Sequence, residues 1–449
     1  MKNEEKNLKR ELSSRHIGMI AIGGTIGTGL FLGAGNSIKT AGPSIIFIYA
    51  IVGFFIFLLM RALGELLVSD ESQTTFVGFI DKYLGKRFGF VVGWTYWFGW
   101  IVTAMAELTA AGKYMSFWFK DTPVWIWSIV FLTLLFFANI ITVKAFGELE
   151  FWFSMIKIVA ILAIIITGAV LVTIGFKTGD GQTSSIANIW NTGFFANNGS
   201  GFLIAFQMAF FAFVGIEFIG MTAAEAKNPQ ITIPRSVNSV IFRIVIFYIG
   251  ALIAIMSIYP WQNYSAENSP FVQVFTGIGI SSAAHIVNFV VLTAASSALN
   301  SSIFSTGRML YSLNQEKKNW LGQLSNQHVP LNAIISSSIL IGLAALINYV
   351  FPNNAFEMVT SAAAATFLFI YSILMIAHLK YRKSKDFKKT KKSFKLPGAP
   401  VTNWLTLAFF IFIFAILVAH PTTLWPALVA LFWMIIIAAI SFVTIKKEA

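Results

Sequence analysis

The chain of 449 residues contains no cysteine, and only 11% of it is Asp, Glu, Lys or Arg. Without cysteine there is no disulfide framework and no thiolate metal cluster. Soluble domains carry about 25% charge, so this chain lacks the polar residues that a water-facing surface needs. The five histidines are scattered without metal-ligand spacing, and no nucleophile–base pair or cofactor motif is apparent. Acidic residues are also scarce, 19 against 32 basic. These shortages exclude a soluble enzyme, a secreted disulfide scaffold and a disordered basic protein.

What fills the chain is apolar: 57% hydrophobic residues, with 45 Phe and 13 Trp. They fall mostly in runs of about 20 uncharged residues, the length that spans a bilayer core as a helix. The expected fold is an all-α polytopic membrane protein with twelve transmembrane helices. They are predicted near 17–38, 42–66, 88–118, 124–143, 148–176, 201–224, 236–259, 281–313, 331–352, 354–379, 401–420 and 423–445. Residues 1–16 form a polar tail without an apolar core, so the first span is expected to act as the insertion signal.

Basic residues set the orientation. With the N-terminus inside, 27 of the 32 fall on cytoplasmic ends and loops, four lie outside, and Lys157 lies within a span. Both termini are therefore expected in the cytoplasm. The excess of positive charge is then a topology signal and not a nucleic-acid surface. Residues 380–400 form a basic loop, read as a solvated connection that fixes topology or, alternatively, a contact for anionic lipid. The loop separates a transport core (17–379) from the last two helices and C-terminal tail (401–449). The stretch 69–87 looks amphipathic and is expected along the inner membrane surface.

Breaks in the apolar pattern carry the functional signal. The first span contains Gly23-Gly24-Thr25-Ile26-Gly27-Thr28-Gly29, where four glycines weaken the helix. An unwound turn and close helix packing are both consistent with it; a phosphate loop is not, since no strand precedes it and no Gly-Lys-Ser/Thr follows. The sixth span holds Phe211-Ala212-Phe213-Val214-Gly215-Ile216-Glu217, with an acid in mid-membrane that by default marks a functional site. The two spans are five apart, as expected of inverted repeats (about 17–176 and 201–379) led by interrupted helices. Glu107 in the third span and Lys157 in the fifth are the other buried charges. Lys157 either snorkels toward the cytoplasm or offers a titratable ammonium to the bundle interior. By position, Glu148, Glu150 and Glu225 are boundary residues, Arg61 and Glu65 a local i, i+4 pair, and His285, His378 and His420 residues of helix ends.

Several stretches match a family. Ser14-Arg15-His16-Ile17 followed by GGTIGTGLFLGAG, then GWTYWF, KAFGELEFWFSMIKIVAI and FAFVGIEFIGMTAAEAKNPQITIPRSVNS resemble the amino-acid transporter branch of the amino acid–polyamine–organocation superfamily. The resemblance covers essentially the whole chain and is strongest to the D-serine/D-alanine/glycine permeases. It departs at Glu107, where Asp is expected, and in the following LTAAGKYM. It implies a LeuT-type fold of two inverted five-helix repeats plus two helices, in a bacterial plasma membrane. It further implies proton-coupled import of small neutral amino acids, with no cofactor. Carried onto this sequence, the substrate carboxylate meets Thr28 and Gly29, with Gly27 allowing close approach. The ammonium meets carbonyls of Thr25, Phe211, Ala212 and Val214. Phe211 closes over the substrate, Gly215 flexes, and Phe213 and Glu107 shape the pocket wall. Lys157 and Glu217 are the proton-coupling candidates, and Glu225 a gating residue. A proton-independent exchanger and a non-transporting amino-acid receptor are the alternatives.

Overall fold

In the computed structural model, residues 26–445 are described apart from 74, 142, 180, 192, 200, 225–227, 267, 316–318, 326–328 and 390–393. Among the described residues the chain is helical, without a named strand; Lys177 and Thr183 form one isolated bridge. Among the described residues each of the twelve expected spans contains helix, residues 17–25 of the first lying outside them. The first is Thr28–Phe31 and Gly33–Ala41, the second Ile45–Ser69, the third Lys86–Met115, the fourth Val124–Ile141 and the fifth Val143–Thr173. The sixth is split into Ala205–Phe211 and Glu217–Ala224. The seventh runs from Pro229 to Ile258 through a π-helical stretch at Ile244–Gly250. The last five are Ser281–Ser312, Leu331–Val350, Ala355–Lys383, Val401–Ala419 and Pro421–Thr444. Nine described stretches are long and apolar enough to cross a membrane. Phe47, Phe54, Trp152, Ile166, Trp404 and Phe432 point outward from the bundle, the arrangement of a protein whose solvent is lipid.

Span 3 is the central post. It packs against spans 4, 8, 9 and 10, and its small residues let those helices approach. A Cβ on Gly99 would stand 3.0 Å from the Phe367 ring of span 10. Without a hydrophobic drive between helices in lipid, such close packing supplies much of the association energy. Span 5 lies against spans 7 and 8, and spans 11 and 12 pack on span 10.

The inner end of span 2 departs from the expected local pair. Three donors converge on Glu65 Oε2: His378 Nε2 at 3.0 Å, Arg382 Nη2 at 2.8 Å and the Leu396 backbone N–H at 2.6 Å. His378 is fully buried, and its Nδ1 accepts Asn403 Nδ2 at 3.0 Å; it is a core residue and not one of a helix end. Arg61 instead donates to Asn238 Oδ1 at 3.0 Å and to the Lys395 carbonyl, and lies over the Phe394 ring. The basic loop is thus partly docked, with Phe394 and Leu396 buried. The reason is the buried carboxylate, which must find hydrogen-bond donors wherever the fold offers them.

The amphipathic stretch is a helix, Phe76–Leu84, whose Phe76, Phe79 and Ile80 are buried against protein. It packs on spans 3 and 10, so its apolar face is covered by the bundle and not by lipid. Lys82 joins it to Asp70 at 3.0 Å and Asp386 at 3.2 Å. Hydrogen bonds from Ser72 and Lys82 hold the Asp70 carboxyl below its ordinary range.

The Glu65 cluster predicts that Glu65→Ala lowers the melting temperature in detergent strongly, at a cost of about 3–5 kcal/mol for a buried pair that loses one partner. Glu65→Gln, which keeps an acceptor, loses less. Unchanged melting of the alanine variant would contradict the cluster's structural role.

Candidate functional site

The described start of span 1 meets the break of span 6, and residues 17–25 of the expected first span lie outside the described residues. Gly27 is extended (φ −123°, ψ −160°) and precedes the short turn Thr28–Phe31. That turn touches span 3, span 8 and the first half of span 6. A Cβ on Gly29 would stand 2.6 Å from Ala212 Cα, and one on Gly27 would stand 2.6 Å from Glu107 Oε1. The backbone contact at Gly29 leaves no room for a side chain, whereas at Gly27 the Glu107 carboxylate would have to move aside. Gly29 thus serves close approach to span 6.

In span 6 the helix stops after Phe211 and resumes at Glu217. Phe213, Val214, Ile216 and Phe218 each donate to a carbonyl three residues back, between 3.0 and 3.3 Å. Gly215 sits at φ +93°, a conformation that L side chains rarely adopt, with Trp100 packed over it. The Ala212 carbonyl accepts the Tyr248 hydroxyl at 3.0 Å. Phe211 is buried and meets Phe356 edge-on, whereas Phe213 stacks on Tyr248 and packs near Tyr49, toward spans 2 and 7.

Glu107 bridges the third span to the first break: its Oε1 accepts the Thr28 N–H at 3.3 Å. Its Oε2 is buried and has no hydrogen-bond partner among the described residues. Lys157 is completely buried and interacts electrostatically with Glu150 and Glu107. The ammonium therefore faces the bundle interior. Glu217 belongs to a different cluster, where its two oxygens accept the Tyr96 hydroxyl at 2.9 Å and the Tyr371 hydroxyl at 2.5 Å. Thr25 and Glu225 lie outside the described residues.

Toward the Lys113 end of span 3 a cavity of about 620 Å³ is bounded by Leu32, Tyr114, Lys113, Lys120, His285 and Asn288, among others. Leu32, one of its lining residues, donates its N–H to the Thr28 carbonyl at 2.8 Å, so the cavity adjoins the first-span turn. Among the described residues no group of three or more His, Cys, Asp or Glu could hold a metal ion.

Sequence reasoning missed Glu150, Tyr96, Tyr248 and Tyr371. Glu150 is fully buried, not a boundary residue. Its spacing of seven from Lys157 was the available signal, since that places both on one helix face. No local pattern in the sequence marks the three tyrosines, whose partners are 36 to 154 residues away.

An all-α bundle in which the glycines at the described start of span 1 adjoin the break of span 6, with charges buried beside them, is the architecture of a membrane transport protein. The family model described as amino acid permease matches residues 16–448, and the chain belongs to that family. It is 48% identical over 437 residues to the amino-acid permease AapA of Bacillus subtilis, covering 97% of this chain and 94% of that one. It is 45% identical to the D-serine/D-alanine/glycine transporter of Escherichia coli K12, at 96% and 93% coverage. The DL-alanine permease SerP2 of Lactococcus lactis is 46% identical, at 99% and 98%.

The glycine contacts predict that Gly29→Ala, which forces a Cβ into Ala212, reduces amino-acid uptake by at least about ten-fold, equivalent to roughly 1.4 kcal/mol. Gly179→Ala, where the added Cβ meets only an atom 3.8 Å away, serves as the tolerated control. Equal uptake by the two variants in whole cells would show that the close contact is dispensable.

Proposed function

We propose that this permease imports small neutral amino acids, glycine together with alanine and serine and their D-forms, by proton symport with alternating access. The observation that carries the reading is Lys157, a buried ammonium in electrostatic reach of Glu107, which itself holds the Thr28 N–H of the first break. A charge change at Lys157 is thereby one step removed from the backbone that meets substrate. The carboxylate of the amino acid takes the N–H groups of Thr28 and Gly29, where a half-helix N-terminus favours negative charge. The ammonium takes carbonyls around Thr25, Phe211, Ala212 and Val214. Phe211 closes over the substrate, Gly215 flexes, and Glu107 and Phe213 limit side-chain size. The named substrates of the D-serine/D-alanine/glycine transporter and the DL-alanine permease support this choice.

Glu217 is the second proton candidate, and its two phenol donors make it in addition the pin that ties the second half of span 6 to spans 3 and 10. Glu225 is assigned to gating. We assign residues 17–176 and 201–379 to the two inverted repeats, 380–400 to the connecting loop and 401–449 to the accessory helices. The distribution of basic residues supports both termini in the cytoplasm, and the bacterial relatives support a bacterial plasma membrane. On that orientation the cavity beside Lys113, Lys120 and His285 is the outer vestibule, and its basic lining attracts carboxylates.

Labelled alanine should accumulate in proteoliposomes under an inward pH gradient, and a protonophore should abolish accumulation. Uptake that follows sodium, or counterflow without net uptake, would overturn proton symport. Lys157→Ala should lose uphill transport while alanine binding partly survives; full accumulation by this variant would remove Lys157 from the coupling. The natural lack of cysteine allows single-cysteine labelling. An impermeant maleimide added to whole cells should modify Lys120→Cys and leave Lys383→Cys untouched, and the reverse pattern would invert the topology.

A further inference from the structure

Glu150 is a buried carboxylate that neither helix break uses. It stands in span 5 seven residues before Lys157, on the same face and about 10 Å along the axis at 1.5 Å per residue. Both side chains are fully inaccessible. Helical side chains lean toward the N-terminus of their helix, so the Lys157 stem is directed back along the span toward Glu150. The two groups interact electrostatically. The other groups around Glu150 are neutral donors: Ser297 Oγ at 3.0 and 3.2 Å from its two oxygens, Asn300 Nδ2 at 3.4 Å, and the Ser301 side chain. Asn139 of span 4 anchors Asn300 Oδ1 at 2.8 Å. Spans 4, 5 and 8 thus build a polar station in the half of span 5 next to Val143, away from the Glu107 contact.

One ammonium between two carboxylates is neutral only when one carboxyl carries a proton. Full ionisation would leave a net negative charge in the bundle, a state costing several kcal/mol in a desolvated interior. The cluster is therefore arranged to hold one extra proton that either end can carry.

We propose that Glu150 is the cytoplasm-side exit station of the coupled proton, an inference resting on the proton-symport reading above. Lys157 gives one N–H proton to the Glu150 carboxylate, breaking N–H and forming O–H. The neutral amine then takes the proton of the Glu107 carboxyl, which becomes carboxylate. Glu107 is reprotonated from the vestibule as Glu150 releases its proton to cytoplasmic water and returns to carboxylate, so the fully ionised state is not populated. The sum is one proton moved inward with all three groups restored. Ser297, Ser301 and Asn300 position the Glu150 carboxylate for release.

The test uses the full chain in proteoliposomes with Glu150→Gln, which keeps the shape and an acceptor but carries no proton. Gradient-driven accumulation of labelled alanine should fall at least about ten-fold, as expected when a proton-transfer group is removed, while alanine–alanine exchange without a gradient falls far less. Glu150→Asp should recover part of the accumulation. Accumulation like that of the wild type overturns the proposal. So does a parallel loss of accumulation and exchange in a variant that melts like the wild type, because Glu150 would then only join helices. Should the glutamine variant not fold, Ser297→Ala carries the test: proton influx with alanine, read by pyranine inside the vesicles, should slow more than exchange, and equal slowing overturns it. Failure of symport itself is distinguishable, since wild-type uptake would then ignore the pH gradient.

Discussion

A backbone interrupted inside hydrocarbon must take its hydrogen-bond partners from the protein, because lipid offers none. Spans 1 and 6 meet that constraint by facing each other and by borrowing side chains. Glu107 supplies an acceptor to Thr28, and Tyr248 supplies a donor to the Ala212 carbonyl. The half-helix after the second break begins at Glu217, held by Tyr96 and Tyr371 from spans 3 and 10. The central placement of span 3 follows: it provides Tyr96, Trp100 and Glu107 to the two breaks, at one-turn and two-turn spacings along one helix.

The same constraint explains how charge is partitioned. A surface ion pair is worth little, and the chain spends few residues on them. Its buried charges sit in groups with defined donors: Glu65 with His378 and Arg382, Glu217 with two phenols, and Lys157 between Glu107 and Glu150. The first group ties span 2 to span 10 and to Leu396 of the basic loop.

The spans and the break of span 6 were legible in the sequence because hydrophobic runs, and an acid and a glycine within one of them, are local properties. Lys157 and Glu217 were legible because a charge in an apolar run is conspicuous wherever its partner lies. Glu150 was not, since Lys144, Glu148 and the start of the span made it resemble a loop residue. Arg61 and Glu65 misled for the related reason that an i, i+4 spacing permits a pair without requiring it. Glu65 found donors more than 300 residues away, and no local pattern encodes that choice. The amphipathic helix Phe76–Leu84 had the right periodicity for a membrane surface, but periodicity does not say whether lipid or protein covers the apolar face.

Substrate recognition and closure share the same bonds on the proposed reading. An amino acid brings a carboxylate and an ammonium. Glu107 already plays the first part toward Thr28, and the Tyr248 hydroxyl plays a donor's part toward Ala212. A substrate settling at the breaks would therefore exchange hydrogen bonds roughly one for one. Net binding from such an exchange is modest, since a hydrogen bond replaced by another of similar quality gains little. A carrier needs that balance, because a substrate held too tightly at the midplane would not leave. It also couples the charges: moving Glu107 off Thr28 changes the field at Lys157, so amino acid and proton bias the same group of side chains.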